Sequence, residues 1–288
     1  MKKTIAFCTV LFLLAGCFGM GALADINSVN IWGNTDAATC MLPLVEEIFS
    51  AISGEDKSLL YQYGSFTMQS HAYWWFIYEA KKLIFVPAMS NIKVDFATGG
   101  GKTFEVYPIA MDAIVLINNE KSGVSAISQH DLQGIYGGTI DNWSDLGGND
   151  LPIFVSEEPF GIGTYELFHK YLYGTFPADM WSDDEPRSRY DNAENAIGYA
   201  RYTYMQDLYA KEKIQVLSVD GVFPSKDTIM SGAYPFTMYY YAIIHSDLPE
   251  TSPEREIIDF IRSEEGQALV EKAGYIPLSS FGEEGDHE

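Results

Sequence analysis

Three short polar turns, each followed by a predicted helix, are the segments of this sequence best suited to bind a small ligand. They are residues 33–36 (Gly-Asn-Thr-Asp), 64–67 (Gly-Ser-Phe-Thr) and 160–164 (Phe-Gly-Ile-Gly-Thr). Such a turn presents backbone N–H groups and hydroxyls at the start of a helix, where the helix dipole favours negative charge. Turns of this composition are also ordinary in α/β proteins, so by themselves they do not decide whether a ligand cleft exists.

The sequence lacks the complete motifs of the common catalytic and metal sites. Residues 99–103 (Gly-Gly-Gly-Lys-Thr) match the end of a nucleotide-binding loop, but Phe96 stands where the first glycine of that motif is required. Ser90 and Lys93 have the Ser-x-x-Lys spacing of penicillin-binding proteins, but the Lys-Thr-Gly partner is absent. No His-x-x-x-His or Cys-x-x-Cys spacing supports a zinc site. We therefore expect a binding protein rather than an enzyme, with no metal and no cofactor.

The composition is typical of a folded and strongly acidic chain. Its 288 residues are 47% hydrophobic, and 18 basic against 40 acidic side chains give a formal net charge of −22. The hydrophobic share is too high for a disordered chain, and the length suits one large or two modest domains. Because the negative charge repels nucleic-acid phosphates and anionic lipid headgroups, we expect neither as a partner of the folded domain.

The N-terminus is predicted to be an export signal that ends at a lipid-attachment site. Two lysines precede the apolar run 5–15, and residues 14–17 (Leu-Ala-Gly-Cys) resemble the signal of bacterial lipoproteins. In that family the cysteine becomes the first mature residue and carries lipid, which corresponds to Cys17 here. Two alternatives remain: an ordinary cleavage site at residues 22–24 (Ala-Leu-Ala), and an uncleaved anchor, since residues 5–24 carry no charge.

Cleavage before Cys17 would change the charge and the cysteine content of the mature chain. Removal of residues 1–16 deletes two lysines and no acidic residue, so the formal net charge moves from −22 to −24. Cys40 is then left without an intramolecular partner, and we expect it to be a small buried hydrophobe.

Strands and helices alternate along the rest of the chain, which predicts an α/β fold. The predicted strands are residues 25–32, 61–63, 83–86, 106–118, 152–155, 197–200 and 214–219. The predicted helices are residues 40–52, 71–82, 129–136, 165–173 and 253–273, the last restarting at Ser263. Residues 281–288 are predicted to be an acidic tail.

Four segments resemble signatures of the phosphate-binding proteins of ABC phosphate importers. They are residues 135–148, residues 196–199 (Ala-Ile-Gly-Tyr), the pair 219–224 and 231–235, and residues 260–278. The resemblance extends from about residue 107 to residue 278 and is weaker before that.

This resemblance implies a two-lobed type 2 periplasmic-binding fold, in which α/β lobes joined by hinge strands close on a ligand. The chain would cross between the lobes near residues 113–115 and return near residues 219–224. Lobe one is then residues 25–114 plus 220–280, and lobe two is residues 115–219.

The ligand turns of that family correspond to the three polar turns, with two departures in the third. Glu158 stands where the family commonly has an arginine, and Ile162 stands where it has the serine of Ser-Gly-Thr/Ser. An arginine grips phosphate with two parallel hydrogen bonds, whereas a carboxylate repels it. The residues assigned to the ligand are Gly33, Asn34, Thr35, Ser65, Phe66, Thr67, Glu158, Gly161, Ile162, Gly163 and Thr164.

The function implied by the resemblance is that of an exported solute-binding lipoprotein of an ABC importer. Its ligand would be phosphate or another small polar solute, and its partner the permease of the transporter. We expect a monomer, anchored to the cell membrane and facing the periplasm or the outer surface. The departures keep two alternatives open: a binder of a non-phosphate solute, and a degenerate binding fold that acts as a sensor or interaction module.

Overall fold

The computed structural model describes residues 28–87, 103–157, 163–174, 193–204 and 213–278. None of the helices in these ranges combines the length and the hydropathy that a transmembrane segment requires. The helices are α1 (Ser28–Gly33), α2 (Leu42–Ser53), α3 (Leu60–Tyr63), α4 (Gln69–Ile77), α5 (Gln129–Tyr136), α6 (Gly163–Tyr173), α7 (Lys226–Met230), α8 (Pro253–Arg262) and α9 (Glu264–Lys272). The strands are β1 (Thr35–Ala38), β2 (Ser65–Thr67), β3 (Leu83–Pro87), β4 (Phe104–Asn119), β5 (Ala126–Ile127), β6 (Phe154–Val155), β7 (Ala196–Arg201), β8 (Ile214–Val216), β9 (Ser218–Val219) and β10 (Thr237–His245).

Within these residues, eight of the strands form one mixed sheet in the order β2-β1-β3-β10-β4-β7-β6, with β8 also paired to β4. β1, β2 and β3 are mutually parallel, and β10 runs antiparallel to both β3 and β4. Beyond β4, the strands β7 and β8 are antiparallel to it and β6 is parallel to β7. β5 and β9 form a separate parallel pair.

The longest strand, β4, belongs to both halves of the sheet. It has 16 residues, which corresponds to roughly 50 Å of extended chain at about 3.3 Å per residue. Its ladder with β10 ends at Ala113, and its ladder with β7 begins at Ile114. The partner of the strand therefore changes between two consecutive residues.

Apolar helix faces cover the sheet and complete the core. α2 buries Ile48 and Phe49 on one face, and Trp32 of α1 packs edge-on against the Phe49 ring, with 5.3 Å between ring centroids. α8 buries Ile257 and Ile261. Adjacent buried residues in α2 and a spacing of four residues in α8 place these side chains on one face of each helix, as expected for amphipathic helices.

The segment before β1 is a helix, so the strand predicted at residues 25–32 is wrong. Ile31 and Trp32 are consecutive and both buried, which fits the inner face of α1 better than a strand with alternating exposure. The strand begins at Thr35 and contains only Thr-Asp-Ala-Ala. All four of its residues are buried, because neighbouring elements cover this strand on both faces, and no apolar run in the sequence marks it.

Other differences from the predicted elements are smaller. Residues 61–63, predicted as a strand, lie in α3, and residues 65–67, predicted as part of a turn, form β2. α4 ends at Ile77, and Glu79 beyond it has a φ of 61°. The prediction has no counterpart of β10. The remaining predicted strands and helices agree with the structure to within a few residues.

We predict that Gly266→Ala destabilises the protein by about 1–3 kcal/mol, because α9 approaches α8 too closely for a side chain. A Cβ at this position would lie 2.5 Å from the carbonyl oxygen of Ile261. Gly33→Ala is the control, since a Cβ there meets no atom within 4 Å. Urea unfolding measures the difference, and equal unfolding midpoints for the two variants would show that the helices do not approach this closely.

Candidate functional site

The first predicted ligand turn lies at the amino end of β1. Gly33 and Asn34 connect α1 to this strand, and Thr35 is its first residue. The Thr35 hydroxyl donates to the carbonyl oxygen of Ile31 at 2.8 Å, and Thr35 is 2% exposed. The strand-to-helix turn, where open α/β sheets bind ligands, instead follows Ala38. The expectation that residues 33–35 form that turn is not met, because a helix occupies the position of the predicted strand.

The second predicted turn forms β2, which ends beside the carboxyl end of β1. Residues 33–35 lie at the other end of the same strand. Thr67 is in register with Ala38, and its hydroxyl donates to Oδ2 of Asp36 at 3.0 Å. Burial raises the pKa of the Asp36 carboxyl above its ordinary value, and the bond from Thr67 partly opposes this rise. Ser65 pairs with Asp36, and the Phe66 ring packs against the ring of Tyr61.

The third predicted turn is described only at its end. Glu158, Gly161 and Ile162 lie outside the described residues, while Gly163 and Thr164 open α6. Thr164 is 6% exposed. Its hydroxyl oxygen accepts a hydrogen bond of 2.9 Å from Nε of Arg201.

Arg201, the last residue of β7, is the centre of a buried polar cluster that includes Thr164. Arg201 is 6% exposed and Tyr240 is fully buried. Nη1 of Arg201 donates to the Tyr240 hydroxyl at 3.0 Å, and the hydroxyl donates in turn to Oδ2 of Asp112 at 2.9 Å. Tyr240 therefore connects a cation on β7 to a carboxylate on β4.

Asp112 is held by hydrogen bonds from three segments of the chain. Its Oδ1 accepts the backbone N–H groups of Ala113 at 2.8 Å and Thr203 at 3.1 Å. Its Oδ2 accepts the Thr203 hydroxyl at 3.0 Å, besides the bond from Tyr240. Burial raises the pKa of the Asp112 carboxyl, and the charge of Arg201 is the largest of the effects that lower it.

The turn that follows β1 reaches the same cluster through Cys40. The Cys40 side chain lies beside the Arg201 guanidinium, and its carbonyl oxygen accepts the Tyr275 hydroxyl at 2.5 Å. The rings of Tyr275 and Tyr240 meet edge to face at 5.2 Å between centroids. Cys40 forms no disulfide and is half-buried against the hydrophobic core, so it is less buried than the small buried hydrophobe we expected.

The cluster contains the parts of a binding site for a small polar molecule. It brings together the turn after β1, the first turn of α6 and a buried guanidinium. The three predicted turns do not all meet in this cluster. Thr164 belongs to the cluster, and Thr67 lies beside Ala38 at the carboxyl end of β1. Residues 33–35 lie at the amino end of β1. Within the described residues, no group of three or more His, Cys, Asp or Glu side chains is placed to hold a metal ion.

Comparison with known sequences places the chain in a family. Residues 88–262, more than half of the chain, match the PBP superfamily domain. The chain belongs to the PBP superfamily. The resemblance noted in the sequence is thereby confirmed.

Curated relatives of this PBP-superfamily chain are phosphate-binding proteins. It is 32% identical over 180 residues to the phosphate-binding protein PstS of Bacillus subtilis, an alignment that covers 61% of this chain and 58% of the relative. It is 25% identical over 183 residues to PstS of Borreliella burgdorferi, covering 59% of this chain and 65% of the relative. The matched region is thus less than two-thirds of either relative. These names describe binding proteins, in agreement with the expectation that the chain is not an enzyme.

A solved structure shares the fold. The ABC-type phosphate transport receptor from Vibrio cholerae superposes with a TM-score of 0.66 at 18% identity, covering 84% of this chain and 98% of that one. This likeness confirms the predicted fold class, an α/β fold of the two-lobed periplasmic-binding type.

The sequence prediction missed Asp112, Arg201 and Tyr240. Arg201 lies two residues after the segment 196–199 and ends a strand of mostly buried residues. A charged residue at the end of a buried strand is rare without a partner or a function, and this signal could have found it. Tyr240 carried no such signal, because β10 itself was not predicted.

We predict that Tyr240→Phe destabilises the protein by about 1–3 kcal/mol, since it leaves Arg201 and Asp112 each without one buried hydrogen-bond partner. Tyr239→Phe is the control, because Tyr239 is half-buried on the alternate face of the same strand. Chemical denaturation at neutral pH measures both variants. An equal loss in both would show that the Tyr240 hydroxyl contributes nothing beyond the packing of its ring.

Proposed function

We propose that the protein is an exported, lipid-anchored solute-binding protein that captures phosphate between two lobes and delivers it to the permease of an ABC importer. The printed names of its relatives support phosphate as the ligand. The likeness to the transport receptor from Vibrio cholerae supports the two-lobed arrangement. Its acidic net charge of −22 does not oppose this role, since the binding cleft depends on local groups.

The division into lobes that we propose is residues 25–114 plus 220–280 for lobe one and residues 115–219 for lobe two. The change of partner along β4 between Ala113 and Ile114 supports the first crossing. The return crossing is supported by the turn in which the N–H of Val222 donates to the Val219 carbonyl at 2.9 Å. Gly221 in this turn has a φ of 80°, a left-handed value that glycine adopts without strain.

One observation carries the proposal: the hydrogen-bond chain from Thr164 through Arg201 and Tyr240 to Asp112 crosses between the proposed lobes. Thr164 and Arg201 belong to lobe two, whereas Tyr240 and Asp112 belong to lobe one. A ligand held by groups of both lobes binds the closed arrangement better than the open one, so it shifts the population toward closure.

The ligand contacts that we propose come from the strand-to-helix turns at this junction. They include Thr164 at the start of α6, Thr67 before α4, and the turn of residues 39–41 that follows β1. Helix N-termini and hydroxyls suit an anion. Residues 33–35 are not among them, because they lie at the other edge of the sheet.

We predict that the mature domain binds phosphate in isothermal titration calorimetry near neutral pH. If the Kd is about 10 µM, then 1 mM phosphate stabilises the fold by about 2.7 kcal/mol, which thermal unfolding detects. Thr164→Val should weaken binding at least tenfold, and Thr139→Val, on the exposed loop after α5, is its control. The absence of both binding heat and a thermal shift at millimolar phosphate would exclude phosphate as the ligand. That result would favour the sensor or non-phosphate alternatives.

We predict that Cys17→Ser releases the protein from the membrane fraction, because the residue that carries the lipid in bacterial lipoproteins is lost. Detergent phase partitioning of whole-cell extracts measures this release. Cys8→Ser, within the predicted signal, is the matched control and should leave the protein in the detergent phase. Retention of the Cys17→Ser protein in that phase would support the uncleaved anchor instead.

A further inference from the structure

We propose that Arg201, beside Thr164 at the start of α6, is the residue that binds the anionic ligand of the proposed cleft. The ligand class is a tetrahedral oxyanion. This inference rests on the proposed function for the location of the cleft, and it assigns the specificity of that cleft to a residue on β7.

Within the described part of the chain, the guanidinium of Arg201 is buried without a carboxylate in direct contact. Arg201 is 6% exposed, so more than nine-tenths of the residue is buried. Among the described residues, no carboxylate oxygen comes within 4.0 Å of its nitrogen atoms. The direct contacts of the guanidinium are the hydroxyls of Thr164 and Tyr240 and the side chain of Cys40. The charge of Asp112 acts on Arg201 through Tyr240 and without direct contact, and a buried cation gains further from an anion that contacts it directly.

Arg201 and Asp112 are connected through a tyrosine hydroxyl and not by direct contact. The two charges are separated by the Tyr240 hydroxyl, which accepts from Arg201 and donates to Asp112. All four hydrogen bonds recorded for Asp112 come from Ala113, Thr203 and Tyr240 rather than from Arg201. Asp112 therefore orients the guanidinium through Tyr240 and does not contact it directly. We regard Asp112 and Tyr240 as positioning residues.

Arg201 and Thr164 retain hydrogen-bond donors that an oxyanion could accept. A guanidinium has five N–H donors, and the bonds to Thr164 and Tyr240 use one from Nε and one from Nη1. Thr164 accepts one of these bonds, and a hydroxyl that accepts still carries its own proton as a donor. Arg201 and Thr164 can thus donate together to oxygens of one anion at the first turn of α6, where the helix dipole adds to the attraction.

The test compares the full mature protein with Arg201→Gln in calorimetric titrations with phosphate, sulfate and molybdate. We expect Arg201→Gln to weaken binding of the preferred oxyanion at least 100-fold, which corresponds to about 2.7 kcal/mol. Arg262→Gln is the matched control: it removes the same charge, and its guanidinium likewise lies 5.7 Å from a tyrosine ring centroid, that of Tyr107. We expect that control to bind within threefold of the parent.

Arg201→Lys and a direct spectroscopic measurement keep the test decisive if Arg201→Gln fails to fold. Lysine retains the charge but not the planar fork, so we expect binding at least tenfold weaker than in the parent. In the parent protein labelled with ¹⁵N-arginine, the Nε–H resonance that is absent from Arg201→Lys should shift on saturation with the oxyanion. A resonance that does not move would overturn the inference.

The outcomes separate this inference from the proposed function. If the parent binds phosphate and folded Arg201→Gln binds it equally well, the inference is overturned and the proposed function stands. If the parent binds sulfate or molybdate but not phosphate, and Arg201→Gln loses that binding, the inference holds and phosphate transport is overturned. If the parent binds none of the three oxyanions, both are overturned.

Discussion

A single continuous strand carries both halves of the sheet, and the rest of the structure is arranged around the point where it changes partners. β4 pairs with β10 up to Ala113 and with β7 from Ile114 onward. A slip of one residue would turn every side chain of the strand to the opposite face of the sheet. Since both registers are fixed, the halves cannot slide independently along the strand. Any relative motion is then a bend or twist at this point, where the Ile114 N–H is bonded to the Phe236 carbonyl at 2.9 Å.

The hydrogen bonds of the buried Asp112 carboxylate restrict how the two halves of the sheet can be arranged at the joint, the point where β4 changes partners. Two of its donors, Ala113 and Tyr240, belong to the β4–β10 side, and Thr203 follows β7 on the other side. A bend that moved β7 away would remove donors from a buried charged group, which costs more than breaking the same bonds in water. Such a joint would favour a few discrete arrangements over a continuous range, which is the behaviour that the proposed hinge closure requires.

The sequence predicted those elements whose burial is visible as an apolar pattern. β3 and β4 are long apolar runs, and α8 begins with a serine, a proline and an acidic first turn, so their positions follow from local chemistry. β1 is buried only because other elements cover it, and its Thr-Asp-Ala-Ala sequence contains no sign of this. The difference bears on the site, because the first predicted turn lies before β1 in the structure, whereas the strand-to-helix turn lies after it. The cluster around Arg201 escaped prediction because its hydrogen-bonded pairs are far apart in the chain, by 128 residues for Tyr240 and Asp112 and by 235 for Tyr275 and Cys40. Only tertiary structure brings them together.

For the anion binding that we propose, the position of Arg201 matters more than the 40 acidic side chains of the chain. At physiological ionic strength, exposed charges are largely screened beyond about 8 Å, whereas buried groups are screened much less. An arginine at the end of a strand, held by Thr164 and Tyr240, loses its side-chain freedom during folding, so less entropy remains to be lost on binding. In the proposed function, an anion bound to Arg201 adds a direct ionic contact that Asp112, acting only through Tyr240, does not supply. Because the same guanidinium joins β7 to β10 through Tyr240, we infer that anion binding there is coupled to the closed arrangement of the proposed lobes.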